Sequence, residues 1–222
     1  MNRGFVCAAL AVVGAFSLLG GTAAAAPTEG AGTAPSCAGV RLTGSLPVPP
    51  AGTAVEQTVT IGADCAPHPG PVRRVPARAA TADSLAAAEA TTRHVRSWNE
   101  EFDCCNIRMT GLYTTSDWNI ADGRITTAAT GATQGFNREP WDAGWSLKSA
   151  ASSQDCATDC TAVNAVADAS FTYKGIFDAS GDWYANSHHS SVRLNADGTA
   201  QCTFDVELKH TFVGWNWQHG CE

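Results

Sequence analysis

The sequence predicts a mostly β protein: an antiparallel β-sandwich or barrel, stapled by disulfides, with one N-terminal helix packed on it. Three observations carry that expectation. Residues 200–212 alternate apolar and polar side chains almost without a break, the period of a half-buried strand. Short strand-like runs after residue 106 are separated by Gly-containing turn signals. Eight cysteines follow a segment with the layout of an export signal, and an even count in an oxidising compartment reads as a disulfide framework.

Residues 1–25 read as the signal peptide. Arg3 is followed by an apolar stretch from Phe5 to Leu19 and then by small residues. Ala23 and Ala25 stand in an A-x-A arrangement, so cleavage is expected after Ala25. Loss of Arg3 takes the formal charge from −7 to −8. So acidic a domain repels phosphate backbones, and nucleic acid is not an expected partner. No second apolar run approaches the length that crosses a bilayer. The expected location is secreted and extracellular, with no membrane insertion after cleavage.

Residues 26–65 read as a disordered start followed by a small unit closed by Cys37–Cys65. The start is rich in Gly, Pro and Thr. Val55, Val59 and Ile61 alternate with Glu56, Thr58 and Thr60 as in a strand. The Pro47–Gly52 stretch supplies a turn before it, so a hairpin is expected. Residues 66–82 are rich in Pro, Ala and Arg and read as a linker; Arg73-Arg74 within it could be a processing site. Residues 83–222 then form the main domain. Leu85, Ala88, Thr92, Val95, Trp98 and Phe102 recur at helical spacing, and Asp83 or Ser84 can cap the start. That spacing predicts a helix over about 84–101.

From Asn106 the pattern turns to strand. Three turn signals follow, at 121–123, 179–181 and 196–198, each ending in Gly, the residue a three-residue hairpin loop needs at its positive φ position. A three-residue loop at 196–198 pairs Leu194 with Ala200 and Val192 with Cys202, so Val192, Leu194, Phe204, Val206 and Leu208 share one buried face. The preceding hairpin does not fit that scheme. Phe171, Tyr173 and Phe177 are odd-numbered and the next strand's inner face is even, so a bulge or another loop length must intervene.

Cys37, Cys65, Cys104, Cys105, Cys156, Cys160, Cys202 and Cys221 are expected to form four disulfides. Neighbouring cysteines strain the ring they would close, so Cys104 and Cys105 should reach different partners. The Cys156–Cys160 segment could receive both, and Cys202 suits a bond across the core or to Cys221. No metal or cofactor is expected. His188 and His189 are neighbours on a strand and point to opposite faces. His210 lies about 13 Å from His188 in this register. His210 should instead face Tyr184 as a partly buried pair.

The acids Glu100, Glu101 and Asp103 beside Trp98 and Phe102 raise the chemistry of a sugar hydrolase. On the predicted helix, however, neighbouring acids diverge by about 100°. No G-x-S-x-G, phosphate-binding Gly loop or H-E-x-x-H is present. Seven tryptophans all lie after residue 97. Trp pairs a broad apolar face with a polar edge and suits ring stacking and interfaces. Trp98 and Trp118 are expected in the core. Trp141, Trp145, Trp215 and Trp217 are the candidate binding residues. If the last strand continues through Gly214, Trp215 and Trp217 form an outward platform with rings about 6.8 Å apart.

The expected function is therefore a secreted, non-catalytic binding module for an extracellular glycan or cell-wall polymer, or for a protein partner. One alternative is a small secreted hydrolase using the acids near Glu100–Asp103, or a histidine with Ser190 or Ser191. Another is a structural or propeptide-like protein with no ligand.

Overall fold

The computed structural model describes residues 36–77, 92–137 and 144–222. The described residues hold only strands as regular structure: β1 (Ser36–Pro47), β2 (Thr53–Ile61), β3 (Pro67–Pro69), β4 (Arg73–Pro76), β5 (Thr92–Phe102), β6 (Arg108–Ala121), β7 (Arg124–Phe136), β8 (Trp145–Gln154), β9 (Thr158–Cys160), β10 (Ala162–Tyr173), β11 (Ala185–Asn195), β12 (Ala200–Phe212) and β13 (Asn216–Cys221). The segment read as a signal peptide lies outside them, as does Trp141.

Every strand pair is antiparallel. The first sheet runs β1-β12-β11-β10-β8. The second runs β3-β2-β13-β5-β6-β7-β9, with β4 also on β2. The sheets meet face to face: β11 packs on β6 and β5, β10 on β7 and β6, and β1 on β13 and β2. Leu42, Leu46, Ile61, Leu112, Ile125, Phe171, Leu194, Phe204 and Leu208 fill the space between them, each essentially closed to solvent. Burying a side chain of this size contributes about 1.5–3 kcal/mol.

The β11–β12 hairpin has the expected register. Leu194 pairs with Ala200, Val192 with Cys202 and His188 with Val206. Gly198 sits at φ +85° and closes the three-residue loop. The 121–123 turn is tighter than expected. Ala121 pairs with Arg124, leaving a two-residue loop in which Asp122 and Gly123 both have positive φ (50° and 70°), the type I′ pattern. The 179–181 signal sits inside a long loop over 174–184, and Phe171 pairs with Asn186. The odd-against-even conflict between these strands is thus resolved by loop length.

Two expectations are corrected. The helix over 84–101 is absent from Thr92 onward, where the chain is β5; residues 84–91 lie outside the described part. The Cys37–Cys65 disulfide forms, but not across a hairpin. β1 pairs with β12 and β2 pairs with β13, in different sheets. Within the stretch read as a linker, residues 67–69 and 73–76 add short strands to the edge of β2.

Cys156 pairs with Cys160, and Cys202 with Cys221. Cys202–Cys221 joins the two sheets, as expected for a cysteine on the inner face of β12. Cys156 and Cys160 close on each other and do not receive Cys104 and Cys105. Those two cysteines are exposed, side by side in the β5–β6 turn. Three disulfides fit an oxidising environment.

Candidate functional site

The expected tryptophan platform is not on the surface. Trp145, Trp215 and Trp217 are buried, like Trp98 and Trp118. Trp145 meets Tyr173 edge-on at 5.6 Å. Trp215 joins Tyr184 and Phe212 at 6.0 and 5.5 Å. Trp217 stacks on His219 at 3.8 Å and donates its indole N–H to Asn99 Oδ1 at 3.1 Å. The reason is a change of sheet. Gly214, at φ +88°, turns the chain from β12 in one sheet to β13 in the other, so the outward phase of β12 does not carry over.

Trp217 belongs to a buried polar layer. Asn99 Oδ1 also accepts from His188 Nδ1 at 2.5 Å, and His188 Nε2 pairs with Thr110 Oγ1 at 2.8 Å. Thr110 Oγ1 accepts from Asn186 Nδ2 at 3.0 Å. The network assigns His188 a proton on Nδ1 and an acceptor at Nε2, a neutral ring. Burial lowers its pKa to about 3 and that of His219 to about 4. Gly44 of β1 lies directly over His219; a Cβ there would stand 2.4 Å from Nε2. Only glycine allows that approach.

The acids do not converge. Tyr113 OH and Arg108 Nη1 donate to Glu100 Oε1 at 2.6 and 3.3 Å. Glu101 points between the sheets, where burial pushes its carboxyl well above the usual range. Asp103 Oδ1 accepts the N–H groups of Cys105 and Ile107, each at 2.8 Å, and so fixes a turn. Nor do the histidine–serine pairs form a nucleophile and base. Ser190 is buried and accepts from Asn99 at 3.3 Å. Ser191 and His189 share the outer face, but two residues along a strand put them about 6.8 Å apart, beyond hydrogen-bond reach.

The side chains that do converge in the open lie on the outer face of the first sheet and at its end. Asp168 Oδ1 accepts from His189 Nδ1 at 2.7 Å. Arg41 Nε donates to Asp205 Oδ2 at 3.0 Å. These four line a shallow depression that shares Arg41, Ser187 and Glu207 with a second one, and the second reaches Lys209. Lys209 Nζ meets the carbonyl of Asp182, and His210 Nδ1 donates to the carbonyl of Trp183 at 2.8 Å. The second depression thus ends at Lys209, beside the loop that carries Trp183; Trp183 itself lines neither depression.

Trp183 is 49% exposed, alone among the described tryptophans. Its ring lies on His210 at 3.8 Å with a 15° tilt, so one face is backed by imidazole. His210 also faces Tyr184 at 6.5 Å, the pairing the register anticipates. The loop backbone is pinned by Asp178. Its burial opposes ionisation, but the Ser180 hydroxyl and the N–H groups of Trp183, Tyr184 and Gly181 outweigh that and hold the carboxyl well below its usual range. Ile176 and Phe177 project from the same loop, 84% and 67% exposed.

Sequence reasoning missed Trp183. The available signal was its place in a Gly- and Asp-containing loop one residue before the Tyr184 that faces His210. Among the described residues no cluster of three or more His, Cys, Asp or Glu could hold a metal ion. No known protein family, curated protein or solved structure matches the chain.

Proposed function

We propose that this protein is a secreted, non-catalytic binding module for an extracellular glycan or cell-wall polymer, and that Trp183 and the groove from His189 to Lys209 receive it. The observation that carries the reading is Trp183 itself, half-exposed and held flat against His210. A rigid indole loses little entropy on contact and offers a broad apolar face to the C–H face of a sugar ring. Sugar hydroxyls both donate and accept, and the groove supplies both: carboxylates on Asp168, Asp205 and Glu207, and donors on Arg41 and Lys209. The signal-like N-terminus and three disulfides support an extracellular setting.

The test is retention on insoluble chitin, cellulose and peptidoglycan. One of these should hold the protein, and Trp183→Ala should weaken retention about tenfold or more while leaving the unfolding midpoint unchanged. Full release of wild type from all three, or equal retention of Trp183→Ala, overturns the reading. A protein partner is the second reading, favoured by the exposed Ile176 and Phe177, which a sugar does not need. In that case wild type would be released from all three polymers, and Ile176→Ser and Phe177→Ser would abolish capture of the partner.

A further inference from the structure

We propose that Cys104 and Cys105 are a reversible dithiol–disulfide couple, closed to a vicinal disulfide in the oxidised protein. Six of the eight cysteines after residue 36 are bonded to one another. Cys104 and Cys105 are the other two, both exposed, with their sulfurs 3.8 Å apart. A disulfide bond is about 2.05 Å long, so closure asks for a small side-chain rotation and no chain movement from elsewhere.

The turn that carries the pair is built without the sulfurs. Asp103 Oδ1 takes the N–H groups of Cys105 and Ile107. Asp103 also exchanges backbone bonds with its turn: its N–H donates to Ile107 at 3.0 Å and its carbonyl accepts from Asn106 at 3.1 Å. Asn106 takes the left-handed conformation, φ +61°, which Asn tolerates well. None of these bonds involves sulfur.

Adjacency makes this couple different from the three other disulfides. Neighbouring Cα atoms are about 3.8 Å apart across a trans peptide, whereas ordinary disulfides span about 4.4–6.8 Å. An eight-membered ring therefore carries strain, and strained, exposed disulfides are the more easily reduced. Closure proceeds by exchange with an external disulfide. One thiolate attacks it and expels the first thiol, and the second thiolate attacks the mixed disulfide and expels the other. Cys104 and Cys105 lose two protons and two electrons, and the oxidant becomes two thiols. A dithiol reductant runs the steps in reverse.

The inference rests on the oxidising location in the proposed function and not on the ligand, so failure of polymer binding leaves it intact. Protein purified without reductant should be denatured in iodoacetamide, digested and weighed. The peptide with Cys104 and Cys105 should be unalkylated and lighter than the dithiol by two hydrogens. On the native protein, dithiothreitol should open this pair at a roughly tenfold lower concentration than the other three bonds. The Cys104→Ser/Cys105→Ser double variant should keep the unfolding midpoint and lose that first step. Two alkylated thiols before any reductant, a cross-link from this peptide to another, or simultaneous opening of all four bonds overturns the proposal.

Discussion

Glu101 and His188 lie between the same two sheets and are driven to neutrality from opposite directions. Burial raises the carboxyl and lowers the imidazole, because each loses more hydration in its charged form. His188 at about 3 and His219 at about 4 stay uncharged in the fold where the unfolded chain, near 6.5, binds protons. The contribution of these two histidines to stability is therefore full above about pH 6.5 and falls as pH drops toward these folded values. Glu101 has the opposite sign: its folded pKa is raised, so its neutral form supports the fold at low pH, and that support is lost as pH rises above the ordinary 4.5. Glu101→Gln should raise the unfolding midpoint more at about pH 8 than at about pH 5. An equal rise at both values would mean that Glu101 does not carry its neutral form into the fold.

A strand is readable when one face is wet and unreadable when both are dry. β12 alternates cleanly between exposed and buried positions, and its register with β11 follows from that pattern and a three-residue loop. Phe204→Ala should cost about 3–5 kcal/mol by opening a cavity between the sheets. The exposed Thr203→Ala next to it should cost no more than about 0.5 kcal/mol. Urea unfolding of the two variants measures the contrast, and equal costs would invert the face assignment. In β5 the residues Ser97 to Glu101 are buried without interruption. Trp98 covers Gly220, where a Cβ would stand 2.1 Å from its ring, while Asn99 and Glu101 face the other sheet. With both faces covered the period of two disappears, and the spacing of Val95, Trp98 and Phe102 imitates a helix.

Across the whole molecule the disulfides act unequally. Cys202–Cys221 closes a separation of 19 residues and ties the two sheets, whereas Cys156–Cys160 spans 4. The entropy removed from the unfolded chain grows with the loop closed. Replacing Cys202 and Cys221 with serine should therefore cost about 2–5 kcal/mol, and more than replacing Cys156 and Cys160. Denaturant titration of the two double variants checks the order, and the reverse order would place the stabilisation in the native contacts. The sequence by itself determined the β class, the final hairpin with its register, and the Cys37–Cys65 bond, because those depend on local period and on loop length. Only the tertiary structure decided which tryptophans meet solvent. Alternation says that two residues share a face but not what that face meets. Gly214 moves the chain between sheets, so the odd face of β13 packs inward with Trp217, and Trp183, in a loop with no period to read, is the ring left in the open.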